Sequence, residues 1–388
     1  MNDLSFNVHS KLPNVGTTIF SVMSALATEH QAINLSQGFP DFPLDEKLIH
    51  NIAEKYKAGF NQYAPMPGVL ALREAIAHKC ERRYGIHLNA DTEITVTPGA
   101  TEAIFSAITA LVHPTDEVIV FEPAYDCYIP AIELAGGKVR SIPLKGPDYR
   151  IPWDQVREVL SSKTRMIIFN TPHNPTGTVW EEADLHQLHS IVANTNIILL
   201  SDEVYEHIYF DTASTVSVLS HPQLAARSLA VYSFGKTFHA TGWKVGYVVA
   251  PAALTKEFRK VHQFNVFSTH TPIQYALAEY MMEPGNYELL PAFYQKKRDY
   301  FLDLIKELPF TFSPSKGSYF QVVDYSAVSS LNDLDFAKKL CVEAGVATVP
   351  VSAFYSHGSE DKFIRFCFAK KEETLLAAAD RLRKYFAL

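Results

Sequence analysis

RMIIFNTPHNPTGT at residues 165–178 and NIILLSDEVYEH at residues 196–207 share one plan: an unbroken apolar run, then polar side chains where the run stops. A strand with one face in water alternates apolar and polar residues. Runs such as IIFN and IILL need cover on both faces, which fits a mostly parallel sheet between helix layers. The same reading places strands at Ile94–Thr97, Glu117–Phe121, Lys138–Leu144, Arg165–Asn170, Asn196–Ser201, Leu229–Ser233 and Val245–Ala250. Helical patterns lie between them, as at Ala100–Val112 and Glu181–Ala193. Seven strands alternating with helices predict an α/β protein with one large sheet. Thr178 and Glu181 suggest a loose capping box before the second of those helices, with Trp180 intervening.

Beyond Pro251 the pattern changes. Helical stretches at Ile273–Met282 and Tyr287–Leu308 precede short alternating strands at Tyr319–Val323, Ala347–Val351 and Phe363–Phe368, and a last helix at Glu372–Tyr385. This predicts a second, smaller α+β unit over residues 286–388, following a large unit over 46–285. Residues 1–45 read as irregular and apolar, a segment expected to be tied across the smaller unit or onto a partner subunit.

The 388 residues carry 35 Lys and Arg against 42 Asp and Glu, a net charge of −7. Such a balance lacks the basic excess that nucleic-acid backbones require, so no nucleic-acid partner is expected. At 47% hydrophobic residues the chain can bury a sizeable core. No apolar run approaches the roughly 18 residues of a membrane helix, and the first residues lack the pattern of a secretory signal. Cys80, Cys127, Cys341 and Cys367 are scattered, which suggests neither a disulfide framework nor a zinc site. The expected location is the cytoplasm.

The chemistry gathers where the strands end. SFGKTFHATGWKVG, Ser233 to Gly246, sets Lys236 just past a strand. A lysine desolvated there loses basicity and becomes a nucleophile toward an aldehyde, although an arbitrary lysine is more often a solvated surface residue. Asp202 stands at the end of another strand, where α/β sheets bind ligands, or else only caps the next segment. Tyr205 follows three positions later. Asn174 lies in a turn after IIFN that could be nothing more than a Pro and Gly turn. Gly99, Ala100 and Thr101 join a strand to a helix, a place where free N–H groups and the helix dipole can face a phosphate. An aldehyde-binding lysine, a carboxylate for a pyridine nitrogen, hydrogen-bonding groups for a ring oxygen and a phosphate cradle are together what pyridoxal phosphate requires.

NLSQGFPDF, NQYAPMPG, EPAYDCY, NTPHNPTG, SDEVYEH, SFGKTFHATGWKVG, GSYF and IRFCFAKKE span nearly the whole chain in order. With them the sequence resembles the class I/II aminotransferases of pyridoxal-phosphate fold type I, nearest the methionine aminotransferase and kynurenine aminotransferase (glutamine transaminase K) branches. The resemblance implies that Lys236 joins the cofactor aldehyde and carries the transferred proton. It implies that Asp202 pairs with the pyridinium nitrogen, that Asn174 and Tyr205 hold the ring hydroxyl, and that Tyr125 stacks on the ring. Ala100, Thr101, Ser233 and Lys244 would hold the phosphate. Lys244 stands where the aspartate branch has arginine, so a point charge replaces a fork. Tyr63 would reach the phosphate of the neighbouring subunit, which implies a homodimer with shared sites. Arg365 would clamp the substrate α-carboxylate, Gly38 would approach it through its backbone, and Asn174 would contact the substrate as well as the cofactor.

Such an enzyme moves an amino group from an L-amino acid to a 2-oxo acid by a ping-pong cycle. The aspartate branch takes a second arginine from the partner. VHQFNVFSTHTP, residues 261–272, contains none, and an unpaired carboxylate in an apolar pocket is costly. The expected donors are therefore neutral, methionine first, then aromatic amino acids, glutamine or kynurenine. A cysteine-conjugate or cystathionine β-lyase on the same cofactor is the alternative. His186 and His189 share a helix face without an evident third ligand, so no metal site is expected. Cys127 reads as a packing residue, and Phe267 and Tyr319 as candidate walls of the substrate pocket.

Overall fold

Thr18 ends the irregular start of the chain: its Oγ1 accepts the Ser21 amide at 3.3 Å and caps helix α1 (Ile19–Glu29). The computed structural model describes residues 8–211 and 216–388. The N-terminal segment is thus less irregular than its sequence suggests. After α1 comes strand β1 (Ile33–Asn34), which pairs in parallel with a distant strand, Val346–Ala347. The Leu35 amide extends that pairing to the Ala347 carbonyl at 3.0 Å. Phe20 of α1 meets Phe354 edge-on, with ring centroids 5.8 Å apart. The segment is tied across the C-terminal elements; residues 1–7 lie outside the described residues.

Helices α2 (Glu46–Lys57) and α3 (Leu70–Tyr84) lead into the large sheet. Its strands are β2 (Ile94–Thr97), β3 (Glu117–Glu122), β4 (Lys138–Pro143), β5 (Thr164–Asn170), β6 (Ile198–Asp202), β7 (Ser228–Ser233) and β8 (Gly246–Val249). Helix α4 (Ala100–Leu111) follows β2. The order across the sheet is β2-β8-β7-β6-β5-β3-β4. Only β8 runs against its neighbours, β2 and β7; the remaining pairings are parallel. The continuous apolar runs serve two cores. Ile119, Phe121, Ile167, Phe169 and Leu199 face one, while Val118, Val120, Met166, Ile168 and Leu200 face the other. Alternate side chains leave a strand on opposite faces, so a strand covered twice has no position for a polar residue until it ends.

The C-terminal elements form a three-stranded antiparallel sheet of β9 (Phe320–Asp324), β11 (Val349–Pro350) and β12 (Phe363–Cys367), in the order β11-β12-β9. Strand β10 (Val346–Ala347) is the partner of β1. The single strand expected at Ala347–Val351 is therefore two short strands in two sheets, passing into a 3₁₀ turn at Val351–Phe354. The helix expected at Tyr287–Leu308 is likewise two, Gly285–Glu288 and Leu290–Ile305, the second opening with a proline in its first turn. The capping box of the helix Glu182–Val192 is made by Glu181 and Asp184, not by Thr178 and Glu181. The Thr178 hydroxyl turns to that of Thr176 instead, at 2.9 Å. Among the described residues no helix is long and apolar enough to cross a membrane.

Candidate active site

β2, β3, β5, β6 and β7 end on one edge of the large sheet, and the antiparallel β8 begins there. The loops leaving these strands surround a cavity of about 490 Å³. Gly38, Ala100, Thr101, Tyr125, Asn174, Asp202, Tyr205, Ser233, Lys236, Lys244 and Arg365 all line it. Of the residues expected to hold the cofactor or the substrate carboxylate, Tyr63 alone is not among those lining it. It is 81% exposed and meets Phe267 edge-on, with ring centroids 5.1 Å apart.

Lys236 sits in a single turn, Phe234–Thr237, directly after β7. Its Nζ donates to the Tyr319 hydroxyl at 2.8 Å and to the Gly38 carbonyl at 3.3 Å. Desolvation pulls the amine down to about 8, with Lys244 and Arg365 pushing the same way. A larger share of neutral amine at neutral pH is what attack on an aldehyde needs. Asp202 is buried at the end of β6, and one of its oxygens accepts the Tyr128 hydroxyl. Desolvation raises its carboxyl to about 6, against the Tyr128 and Val204 hydrogen bonds and the Lys236 charge, which favour the ionised form.

At the other end of the cavity Gly99 caps α4 with φ +86°, a conformation open to glycine and strained for other residues. A Cβ there would stand 3.5 Å from Lys244 Nζ, which places that ammonium beside the first turn of α4. The unpaired N–H groups of that turn and the Lys244 charge make an anion cradle. The Thr101 hydroxyl lies 3.4 Å from that of Tyr125.

Arg365 of β12 is fully buried. Its guanidinium donates to Asn174 Oδ1 at 2.6 Å and to the Ser36 carbonyl at 2.9 Å, and lies 3.8 Å from the centroid of the Phe320 ring. Burial lowers it to about 10. Its Nε has no hydrogen-bond partner among the described residues, so a buried cation keeps donor capacity for an anion. Gly38 is the second residue here whose missing Cβ matters: one would lie 2.6 Å from the Phe320 ring.

Several contributors went unassigned in the sequence. Tyr128 holds Asp202 from the helix that begins three residues after Tyr125, and the repeated tyrosine of YDCY was the only local sign. Asn170 accepts the Asn174 amide at 2.7 Å and donates to the Asp202 carbonyl at 2.8 Å, joining two strand ends. Phe20, Phe39 and Ile104 give the cavity its apolar wall. Tyr319 reaches Lys236, whereas Phe267, also expected to line the substrate pocket, is 58% exposed and is not among the residues lining this cavity. His186 and His189 have the His221 ring beside them, yet no group able to hold a metal ion occurs among the described residues.

A buried lysine of lowered basicity, a buried carboxylate, an anion cradle at a helix start and a buried arginine share one cavity, and residues of these kinds fit pyridoxal phosphate. Together with the sheet order they define a pyridoxal-phosphate enzyme of fold type I. Residues 30–382 match the family Aminotransferase class I and II. The chain is 55% identical to methionine aminotransferase of Escherichia coli (strain K12) over 97% of each sequence. It is 33% identical to human kynurenine–oxoglutarate transaminase 1, over 93% of this chain and 94% of that one. The solved structure of YbdL from Escherichia coli, described there as having a methionine aminotransferase function, superposes with a TM-score of 0.96. That match is at 54% identity and covers 98% of this chain and 100% of the other. The chain belongs to the class I and II aminotransferases and uses pyridoxal phosphate.

Proposed function

We propose that the protein transfers the amino group of a neutral L-amino acid, methionine first, to a 2-oxo acid, and that it works as a cytoplasmic homodimer. The observation that carries the reading is Arg365, a buried cation with an unused donor set among the Phe20, Phe320 and Phe354 rings. That pairing suits an α-carboxylate attached to an uncharged side chain. The names of the methionine and kynurenine relatives support the same donors. The four cysteines are free thiols, as suits a reducing compartment.

Pyridoxal phosphate supplies an aldehyde that takes up the donor amine and a ring that accepts the electrons of a broken Cα–H bond. Ala100, Thr101, Ser233 and Lys244 anchor its phosphate, and Tyr125 covers its ring. Asp202, oriented by Tyr128, keeps the ring nitrogen protonated. Asn174 and Tyr205 hold the ring hydroxyl. Arg365 grips the donor carboxylate, which displaces Asn174 Oδ1 from one of its N–H groups. Lys236 Nζ would take up the proton of the donor Cα; with a nitrogen basicity near 8 it can both accept and release a proton at neutral pH.

Tyr63 and Phe267, both exposed in the single chain together with Phe264, form an aromatic patch that suits burial against a second copy. There Tyr63 would serve the partner's phosphate. We divide the chain into an N-terminal segment, 1–45, a large unit, 46–285, and a small unit, 286–388.

The test is the visible spectrum of purified protein before and after L-methionine without an oxo acid. The yellow band should bleach with methionine and respond far less to L-aspartate. Equal rates with both donors would remove the neutral preference. Pyruvate and ammonia from a cysteine conjugate, in place of an oxo acid retaining its side chain, would mark the enzyme as a lyase.

A further inference from the structure

Tyr319 stands immediately before β9, fully buried, far in sequence from the strand-end motifs. Its hydroxyl donates to the Gly38 carbonyl at 2.6 Å and accepts from Lys236 Nζ at 2.8 Å. The amine also donates to that same carbonyl, at 3.3 Å. Three polar atoms from three separate parts of the chain thus form a closed triangle. The phenol ring is fixed in place, edge-on to Tyr205 at 5.1 Å and to Phe320 at 4.9 Å between centroids. Gly38 is closely packed as well, since a Cβ added to it would lie 2.6 Å from the Phe320 ring and 3.2 Å from the Tyr319 ring.

We propose that Tyr319 is a positioning residue for Lys236, its hydroxyl and the Gly38 carbonyl together forming the seat of Nζ whenever the lysine is not joined to the cofactor. The amine leaves the cofactor in every half-reaction, and its long side chain would then have several rotamers to explore. A seat built from buried, unmoving acceptors returns it to one place, from which the proton transfer at the donor Cα is short. Proton transfer depends steeply on such placement. Both partners accept hydrogen bonds from nitrogen, so they also favour the ammonium over the amine. The seat therefore retains the proton just taken and opposes the desolvation that lowers Lys236.

The inference rests on the proposed aminotransferase cycle, and Tyr319→Phe tests it with two readouts. The first is the rate at which cofactor-free protein captures pyridoxal phosphate as a function of pH, which follows the neutral amine. In the wild type it should rise with a midpoint near 8. Losing one acceptor destabilises the ammonium, so the midpoint should move down by about one pH unit, a tenfold change in the protonation equilibrium. Of the other charged or titratable groups around the amine, Asp202, Lys244, Arg365 and Cys367 are unchanged in the variant, while Tyr205 loses its hydrogen bond to Tyr319 but stays neutral, because burial raises its phenol. The second readout is turnover with L-methionine carrying deuterium at Cα. The kcat should fall about tenfold or more with KM little altered, and the isotope effect should rise as proton transfer becomes slower.

Tyr294→Phe is the control. Tyr294 is a buried neighbour, 6.0 Å from Tyr319 between ring centroids, and its hydroxyl has no hydrogen-bond partner among the described residues. It should leave both readouts at wild-type values. A Tyr319→Phe protein with the wild-type midpoint and isotope effect overturns the proposal. So does an equal shift in both variants, which would mean a general loosening of the core. Wild-type protein that fails to capture the cofactor or to convert methionine would instead sink the aminotransferase reading beneath it.

Discussion

Asp202→Asn should make the cofactor-free protein more stable, and by an amount that depends on pH. The carboxyl is buried, and burial raises it from 3.8 to about 6. At 1.36 kcal/mol per unit, holding the charge in the empty cavity costs about 3 kcal/mol. The sign follows from proton counting. Below 3.8 both folded and unfolded chains keep the proton and no stability is lost. Between 3.8 and about 6 the unfolded chain has released its proton and the native one has not, so stability falls as pH rises. Above about 6 the full cost is present. Asparagine keeps an acceptor for Tyr128 but never ionises. The variant should therefore exceed the wild type by about 1 kcal/mol at pH 4.5 and about 3 kcal/mol at pH 8. For a chain of this length the unfolding entropy is about 0.8 kcal/mol/K, so the gap in Tm should widen from about 1 °C to about 4 °C. Scanning calorimetry of cofactor-free protein at the two pH values measures it. Saturating pyridoxal phosphate should reverse the order, because the pyridinium now pairs with the wild-type carboxylate and binding adds more stability there. A gap that does not change with pH, or a wild type more stable than the variant at pH 8 without cofactor, would refute the reasoning.

Arg365→Lys keeps the charge but loses the fork that reaches Asn174 and Ser36. It should lower kcat/KM for L-methionine by about 10- to 100-fold, mainly through KM; a loss confined to kcat would deny the carboxylate its place there. Lys79→Met strips the buried Glu206 of its closest cation, both being at most 4% exposed. The folded state should lose about 3–5 kcal/mol, read as a lower Tm, while the position of the visible band stays the same; a stability equal to the wild type would show that the other groups around Glu206, Arg83 among them, suffice. Tyr63→Ala and Lys236→Ala subunits should each be impaired alone and regain activity on mixing, because one of the two sites of the hybrid is then intact. Mixtures no more active than their components would place Tyr63 outside the partner's site.

The sequence carries the sheet plainly because a strand covered on both faces must be apolar throughout, and the first polar residues after each run are free to be chemical. That is why Asp202, Asn174 and Lys236 stand out in the bare sequence. Tyr128 and Tyr319 do not stand out in the same way. Their partners lie 74 and 83 residues away, and nothing local records a contact at that range. The division of 346–350 between two sheets was hidden for the same reason, since β10 is set by β1 at the opposite end of the chain. Tyr63 is a different case: it is 81% exposed in one chain, and the role expected of it needs the second copy proposed above.

SDEVYEH carries two instructions at once. Asp202 and Tyr205 line the cavity. Glu203, buried beside them, takes the Ser201 and Tyr232 hydroxyls at 2.8 Å each and the Val218 amide at 3.1 Å. Glu206 takes the Tyr84 hydroxyl at 2.7 Å, the Tyr247 hydroxyl at 3.0 Å and the Lys79 ammonium. The two glutamates tie this loop to β7, β8 and α3 while Asp202, Val204 and Tyr205 line the cavity. Anchors of that kind hold Asp202 and Lys236 in a dry place whose charges are each unfavourable alone: the carboxyl rises to about 6 and the amine falls to about 8. Both perturbations have desolvation as their largest cause, and in the placement proposed above the cofactor would offset both, one through its ring nitrogen and the other through its aldehyde. A loop free to relax would have let water or a direct Asp202–Lys236 pair relieve them, and the site would then bind its cofactor less tightly.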